Sequence, residues 1–362
     1  MIKTIRVLHT EWSNGWGGQE IRIIHEMKMM RSEGAEVYLA CRENSMIKDE
    51  AIANNIKVFS LPFRGNTDRK TLFHLKKIIK YYSIDIVNTH SGKDTWVGGL
   101  AAKLTGVKFI RTRHLSNKIN PSRLNFINEL ADYIFTTGEK VRDDMIKYNR
   151  IKENKIISIP TGIDESIFNP ENFNREECRK KLTINDSEIA IGILAVLRQF
   201  KRHDLFLKMA KSLIKKYPGK RLVFIIAGNG PQKENIEKII NDLNLAENVK
   251  MVGHINNVPE FLCAIDILVL SSDSKEGVPQ SVMQGLFMNK PVVSSDSGST
   301  RDLFNHNNFQ LIQKGSIEAL INGVSIYLDN MNEVSSRKYM MENFSSSVMV
   351  KKIITSYEKI LE

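Results

Sequence analysis

Cysteine is scarce. Cys41, Cys178 and Cys263 are the only three in 362 residues, and they lie far apart. None has metal-ligand spacing, so they are expected to be reduced, mostly buried thiols of a cytoplasmic protein. No apolar run is long enough to span a bilayer. The start, Met1-Ile-Lys-Thr-Ile-Arg-Val-Leu-His9, enters a strand pattern directly and lacks the apolar stretch of a signal peptide. The chain also has no H-E-x-x-H, no clustered Cys/His ligands and no D-x-D pair that would hold a divalent metal beside nucleotide phosphates. It has no P-loop and no G-x-S-x-G elbow. These absences set aside zinc hydrolysis, P-loop phosphoryl transfer and serine-hydrolase chemistry, and no metal is expected. There is no short-period repeat.

What is present is the composition of a soluble globular chain, 42% hydrophobic and 26% charged. Its length suffices for two domains. The net charge of +11 is uneven: residues 1–168 carry 27 Lys and Arg against 19 Asp and Glu, and the rest carries 25 against 22. A basic first half suits an acidic partner: a phosphorylated acceptor, a membrane surface or nucleic acid. The basic residues are scattered among acids, with no aromatic-basic stripe, which disfavours nucleic acid.

Strand and helix patterns alternate, which calls for parallel sheets covered by helices. Strands are expected at 5–9, 36–41, 84–89, 108–112, 133–136 and 155–159, with helices at 20–33 and 94–104. A polar, irregular stretch follows Pro160-Thr-Gly-Ile-Asp164, broken by a short helical piece near 175–182. A second series has strands at 189–196, 222–227, 249–252, 267–270 and 291–294. Their short, continuous apolar runs suit strands buried on both faces. Residues 346–361 form an amphipathic helix.

The most informative segment is Glu276-Gly-Val-Pro-Gln-Ser-Val-Met-Gln284, after the strand that ends in Ser271-Ser272-Asp273. Ligand crevices of open α/β sheets lie at the carboxyl ends of strands, and a helix start offers free N–H groups to an anion. Glu276 in the loop and Gln284 one to two turns into the helix can grip two parts of one long ligand. Other strand ends carry chemistry too. Gly15, Gly17 and Gly18 follow the first strand, as a phosphate approach or a plain tight turn; Glu20 spoils a full G-x-G-x-x-G. Arg198 and Lys201 suit a diphosphate, or are two solvated charges. Gly228-Asn-Gly-Pro231 and Gly253-His254 close two strands, as turns or as backbone against a base. Thr89-His90 and Arg113-His114 place histidines where they can hydrogen-bond a hydroxyl or move a proton, or serve structure alone; His114 is the preferred functional one. Gly298 can shape a loop against the ligand, and Asp302 caps or packs the following helix.

In order and spacing these motifs resemble a family 4 retaining glycosyltransferase of the GT-B fold. The resemblance runs through Gly17-Gly18-Gln-Glu20, Arg198 with Lys201, Ala227-Gly-Asn-Gly-Pro231, Ala264-Ile-Asp266-Ile, Glu276-Gly-Val-Pro and Pro291-Val-Val with Gly298, and covers nearly the whole chain. It implies two Rossmann-like α/β domains facing across a cleft. Residues 1–166 would bind the acceptor and 167–342 the nucleotide sugar, with the C-terminal helix at 343–362 packing back on the first domain. It implies catalytic roles for His114, Glu276, Arg198 and Lys201. Donor binding would fall to Gly17, Gly18, Gly228, His254, Gly277, Gln280, Ser281 and Gln284. No cofactor is implied beyond the donor, a UDP-sugar by preference, with GDP- or ADP-sugars as alternatives. One departure stands out: the family's second Glu is Gln284 here, so E-x7-E becomes E-x7-Q. Gln keeps a carbonyl acceptor for the ribose but loses the charge, which is worth about 1 kcal/mol. Weaker or altered nucleotide binding is therefore expected, not lost activity. Arg202 stands where a small Gly is common and is expected to contact phosphate or point to solvent.

The expected activity is metal-independent transfer of a hexosyl or related sugar, with retention, to a hydroxyl of a growing bacterial surface glycan. The acceptor would be lipid-linked or a phosphorylated lipopolysaccharide core, met in the cytoplasm, with peripheral contact to the anionic inner face of the membrane. The alternatives are a sugar-nucleotide epimerase or hydrolase, and a non-catalytic nucleotide-sugar-binding subunit.

Overall fold

The computed structural model describes residues 4–114, 119, 123–274, 276–305, 308–330 and 334–362. The chain divides into two compact units: Met1–Gly162 with Ser346–Glu362, and Ile163–Ser345.

The first unit alternates β1 (Arg6–Glu11), α1 (Gly18–Ser32), β2 (Glu36–Cys41), α2 (Met46–Ala53), β3 (Lys57–Ser60), α3 (Arg69–Tyr81), β4 (Ile86–Thr89), α4 (Gly92–Thr105), β5 (Lys108–Arg113), β6 (Tyr133–Thr136), α5 (Glu139–Asn149) and β7 (Ile156–Ser158). Its seven strands are all parallel, in the order β3-β2-β1-β4-β5-β6-β7. The order reverses between β1 and β4, so the crevice of this sheet opens at their carboxyl ends. Register places Thr10 opposite Thr89, and Thr89 opposite Arg111. Helix α4 lies close on the sheet because Gly98 and Gly99 face it. A Cβ on Gly98 would stand 2.9 Å from Thr89 Cγ2, and one on Gly99 2.5 Å from the Phe109 ring. That closeness brings the first turn of α4 to the strand ends.

The second unit runs α6 (Arg175–Lys181), β8 (Glu188–Leu194), α7 (His203–Lys216), β9 (Arg221–Ala227), α8 (Lys233–Asp242), β10 (Val249–Gly253), α9 (Val258–Ala264), β11 (Ile267–Leu270), α10 (Gln280–Phe287), β12 (Val292–Ser295), β13 (Gln310–Ile312), α11 (Ile317–Asp329) and α12 (Arg337–Phe344). Its parallel sheet has the order β10-β9-β8-β11-β12-β13, so here the switch point is at β8/β11. One core packs each face of this sheet. Val223, Ile225 and Leu268 belong to one, and Ile191, Phe224 and Val269 to the other.

Helix α13 (Ser346–Leu361) returns to the first unit. Met349, Val350, Ile353 and Tyr357 are buried in its core. The Tyr357 ring lies over Phe135, with centroids 5.6 Å apart, and its hydroxyl accepts from Asn88 Nδ2 at 2.9 Å. The division falls at 162/163, four residues before the 166/167 boundary read from sequence, and residues 343–345 belong to the second unit. The reason is backbone pairing: Ile163 N donates to Phe344 O at 3.0 Å, and Ile163 bridges Ser345.

Helix α1 begins at Gly18 rather than 20, and Gly34, at φ +87°, ends it. Strands β3 and β13 carry no sequence signal of the kind used above. Both are edge strands of three or four residues and partly exposed, so neither needs a continuous apolar run.

Candidate active site

In the second unit, the turn after β8 and the loop after β11 are stitched together. A short 3-10 turn, Gln199–Lys201, links Arg198 to Arg202. Ser271 Oγ donates to the carbonyls of Lys201 (2.9 Å) and Arg202 (3.0 Å), and Asp273 N donates to Phe200 O (3.0 Å). Within this frame Lys201 Nζ donates to Glu276 Oε1 at 2.5 Å, and Ser272 Oγ donates to the same oxygen at 2.6 Å. Both partners are largely buried, Lys201 at 15% side-chain exposure and Glu276 at 8%. A positive charge and a carboxylate are thus held ready at the switch point.

Gly298 explains how the loop keeps its shape. Its φ is +62°, and a Cβ there would overlap the carbonyl oxygen of Glu276. Ser299 N donates to Gly277 O at 3.1 Å, completing the close approach. Helix α10 then starts at Gln280, with Pro279 before it; Gln280, Ser281 and Gln284 are half-buried on its first turns.

Arg202 is held by two carboxylates. Its guanidinium forks onto Asp204 (2.8 and 2.9 Å) and reaches Asp273 (3.1 Å). Its backbone is left-handed, φ 53° and ψ 47°, which gives a physical reason for glycine at this place in similar chains. Arg198 is exposed, its guanidinium without a partner among the described residues. A cavity of about 540 Å³ adjoins it, walled also by Arg202, Asp204, Gln232, Asn235 and Asp273; Glu276 and Gln284 do not line it. Gly228 has φ +140° and packs against Ala195 O, while its N donates to Gly253 O at 2.7 Å. His254 is exposed and lines a separate cavity of about 150 Å³ with Cys178, Lys181 and Glu260. The structure therefore joins Lys201, Glu276 and Gly277 in one frame and sets His254 apart from it.

The first unit carries a second cluster at its own switch point. Three histidines form a chain: His9 Nδ1 lies 2.9 Å from His90 Nε2, and His90 Nδ1 lies 2.9 Å from His114 Nε2. They come from β1, the end of β4 and the end of β5, which are neighbours in the sheet. Burial pushes His9 down to about 3. His90 and His114 are held well below the usual histidine range, by burial first. The nearby cations then add to it: Arg22, Arg113 and Arg111 act on His114. All three rings are neutral near pH 7.

Asp94, at the third position of α4, caps that helix and ties the cluster. It accepts from Thr10 Oγ1 (2.7 Å), His90 N (2.9 Å) and Ser91 N (2.8 Å). Glu11, fully buried, is pushed up to about 8, by burial first and then by Asp94. It accepts from Gln19 Nε2 (2.5 Å) and Ser13 N (2.7 Å), and so fixes the loop that carries Gly17 and Gly18. Gly17 caps α1 in extended backbone. His9, Glu11, Asp94 and Arg111 were not among the residues expected from sequence. The available signal was positional: each stands at a carboxyl strand end or on the first turn after one. Among the described residues no group of three or more His, Cys, Asp or Glu is placed to hold a metal.

Comparison with known proteins agrees with this architecture. The family model described as "Glycosyltransferase Family 4" matches residues 16–167, and the one described as "Glycosyl transferases group 1" matches residues 174–345. A UDP-Gal:alpha-D-GlcNAc-diphosphoundecaprenol alpha-1,3-galactosyltransferase of Escherichia coli is 25% identical, over 98% of this chain and 96% of that one. A glycosyltransferase from Rickettsia africae ESF-5 superposes with a TM-score of 0.90 at 19% identity, covering 99% of both chains. Anabaena Alr3699/HepE, solved with UDP-glucose, superposes with a TM-score of 0.81 at 16% identity, over 98% of this chain and 100% of that one. With two parallel-sheet α/β units, a match to each half and full-length likeness in sequence and fold, the chain belongs to the family 4 glycosyltransferases and has their GT-B fold.

Proposed function

We propose that the chain transfers a sugar from a nucleoside diphosphate donor, a UDP-sugar by preference, to a hydroxyl of a lipid-linked bacterial surface glycan, with retention. The observation that carries this reading is the buried Lys201–Glu276 pair at the β8/β11 switch point, with the exposed Arg198 on the same turn. On donor binding, Lys201 and Arg198 neutralise the diphosphate, and Glu276 accepts from hydroxyls of the sugar. Gly277, Gln280 and Ser281 serve the phosphates, and Gln284 the ribose. The bond from the anomeric carbon to the diphosphate breaks, the acceptor oxygen bonds to that carbon from the same face, and its proton passes to the departing phosphate oxygen. His114 meets the transferred sugar. The UDP-glucose complex of HepE supports the uridine preference. The diphosphoundecaprenol-linked acceptor in the name of the Escherichia coli relative supports a diphospholipid acceptor. Turnover with a UDP-sugar panel and a lipid-diphosphate GlcNAc acceptor tests this. Transfer that inverts the anomeric centre, or a trapped glycosyl-enzyme adduct, sinks the mechanism.

The membrane contact is proposed for the outward face of α3. Lys70, Phe73, Lys77, Lys80 and Tyr81 are exposed there at helical spacing, Phe73 at 56% and Tyr81 at 81%. Such a basic and aromatic face suits anionic headgroups, at about 1 kcal/mol per lysine. Among the described residues no helix is long and apolar enough to cross a membrane. Vesicle binding that ignores anionic lipid, salt and the triple change of Lys70, Lys77 and Lys80 to Glu contradicts the proposal.

Gln284 motivates a second reading, a subunit that binds nucleotide sugar without turnover. Donor binding with no transfer to any acceptor, alongside transfer restored by Gln284→Glu, supports it.

A further inference from the structure

The histidine chain has a direction. In both pairs the ring centroids are 5.2 Å apart while the facing nitrogens are 2.9 Å apart. The difference is about two imidazole ring radii, so the rings meet nitrogen to nitrogen, the geometry of an in-plane N–H···N bond. Each neutral ring carries one proton, so the two bonds must run the same way. The far end decides which. His9 Nε2 is buried and has no partner among the described residues. If the bonds run toward His9, that nitrogen carries an N–H buried without an acceptor. If they run toward His114, it carries only a lone pair. Orphaned buried N–H groups are the rarer of the two.

We propose that His9 and His90 are positioning residues that lock His114 as the Nδ1–H tautomer, making it a hydrogen-bond donor and not a base. This rests on the transferase reading for what His114 meets, a sugar oxygen. The chain is no proton wire, because it ends blind at His9 Nε2. Other groups hold it in place. Asp94 accepts from the His90 backbone N at 2.9 Å, and Thr137 Oγ1 donates to His114 O at 3.2 Å. Arg22, Arg111 and Arg113 are the cations that bear on it.

The test is long-range ¹H–¹⁵N correlation on the full chain labelled with ¹⁵N-histidine, with His114 assigned from His114→Gln. The expected spectrum has His114 protonated on Nδ1 and bare on Nε2. In His90→Leu this preference is lost. In the same variant kcat falls by about 10- to 100-fold, as when a metal-bound histidine loses the partner that fixes its tautomer, while KM for the donor moves less. His90→Asn, whose amide can donate to His114 Nε2, recovers both. A wild-type His114 protonated on Nε2 overturns the proposal, as does a His90→Leu protein that keeps both tautomer and kcat. The wild-type spectrum decides the tautomer even if no transfer is detected, and that second failure would fall on the transferase reading alone.

Discussion

Replacing Arg202 by alanine and, separately, by glycine pulls apart two effects that coincide at this residue. Its backbone is left-handed, φ 53° and ψ 47°, which costs a residue with a Cβ about 1–2 kcal/mol. Its side chain offsets this with three hydrogen bonds to Asp204 and Asp273. The three side chains are 27–34% exposed, so solvent screening limits each ion pair to about 1 kcal/mol. Arg202→Ala loses the pairs and keeps the strain. Arg202→Gly loses the pairs, sheds the strain and gives back about 0.4–1 kcal/mol through a more flexible unfolded chain. Glycine is therefore expected to be more stable than alanine by about 1 kcal/mol. That is about 2–4 °C in the melting of a unit of this size, measured by calorimetry at matched pH. Because Arg202 is tied to two carboxylates, both variants should keep nucleotide affinity within about threefold, or ~0.7 kcal/mol. A glycine variant no more stable than the alanine one refutes the strain argument. A tenfold loss of nucleotide affinity in both shows that Arg202 serves the phosphate after all.

Gly298→Ala combines a strained, left-handed φ with overlap against Glu276 O. It should cost about 2–5 kcal/mol and abolish donor binding in whatever folds, read by urea unfolding and titration. Glu11 is pushed up to about 8 in the fold, from about 4.5 in the unfolded chain. Its burial therefore costs nothing below pH 4.5 and progressively more as pH rises from 4.5 to 8. Glu11→Gln should gain stability relative to wild type across that window, and a gain independent of pH contradicts the assignment. His9 works the other way: folded at about 3 against 6.5, it withdraws stability as pH falls from 6.5 toward 3, and His9→Leu should flatten that limb of the acid-unfolding curve. Gln284→Glu should tighten nucleotide binding by about 1 kcal/mol, roughly fivefold, seen by calorimetry; unchanged or weaker binding removes the ribose role.

The alternation of buried strands with helices was legible because parallel strands covered on both faces must be continuously apolar. Residues 222–227 and 267–270 show it plainly. The edge strands β3 and β13 escaped because half-exposed edges obey no such pattern. At the site, the Glu276 loop and the Arg198–Lys201 turn were legible from Gly, Pro and charge at strand ends. The ion pair between Lys201 and Glu276 was not, since the two are 75 residues apart and only sheet order makes β8 and β11 neighbours. The histidine chain was hidden for the same reason. His9, His90 and His114 each lay at the end of a strand pattern, but nothing local says that β1, β4 and β5 lie side by side. Arg202 is the opposite case: the sequence showed a departure from glycine, and only the dihedrals and the two carboxylates show how the chain tolerates it.

Calorimetric titration of the whole chain with UDP, GDP and ADP, beside Arg198→Ala and Lys201→Met, tests the central claim most directly. The account predicts that UDP binds best and that each variant loses at least about tenfold in affinity, ~1.4 kcal/mol. Equal affinity in the variants, or no binding of any nucleotide to the wild type, would contradict it.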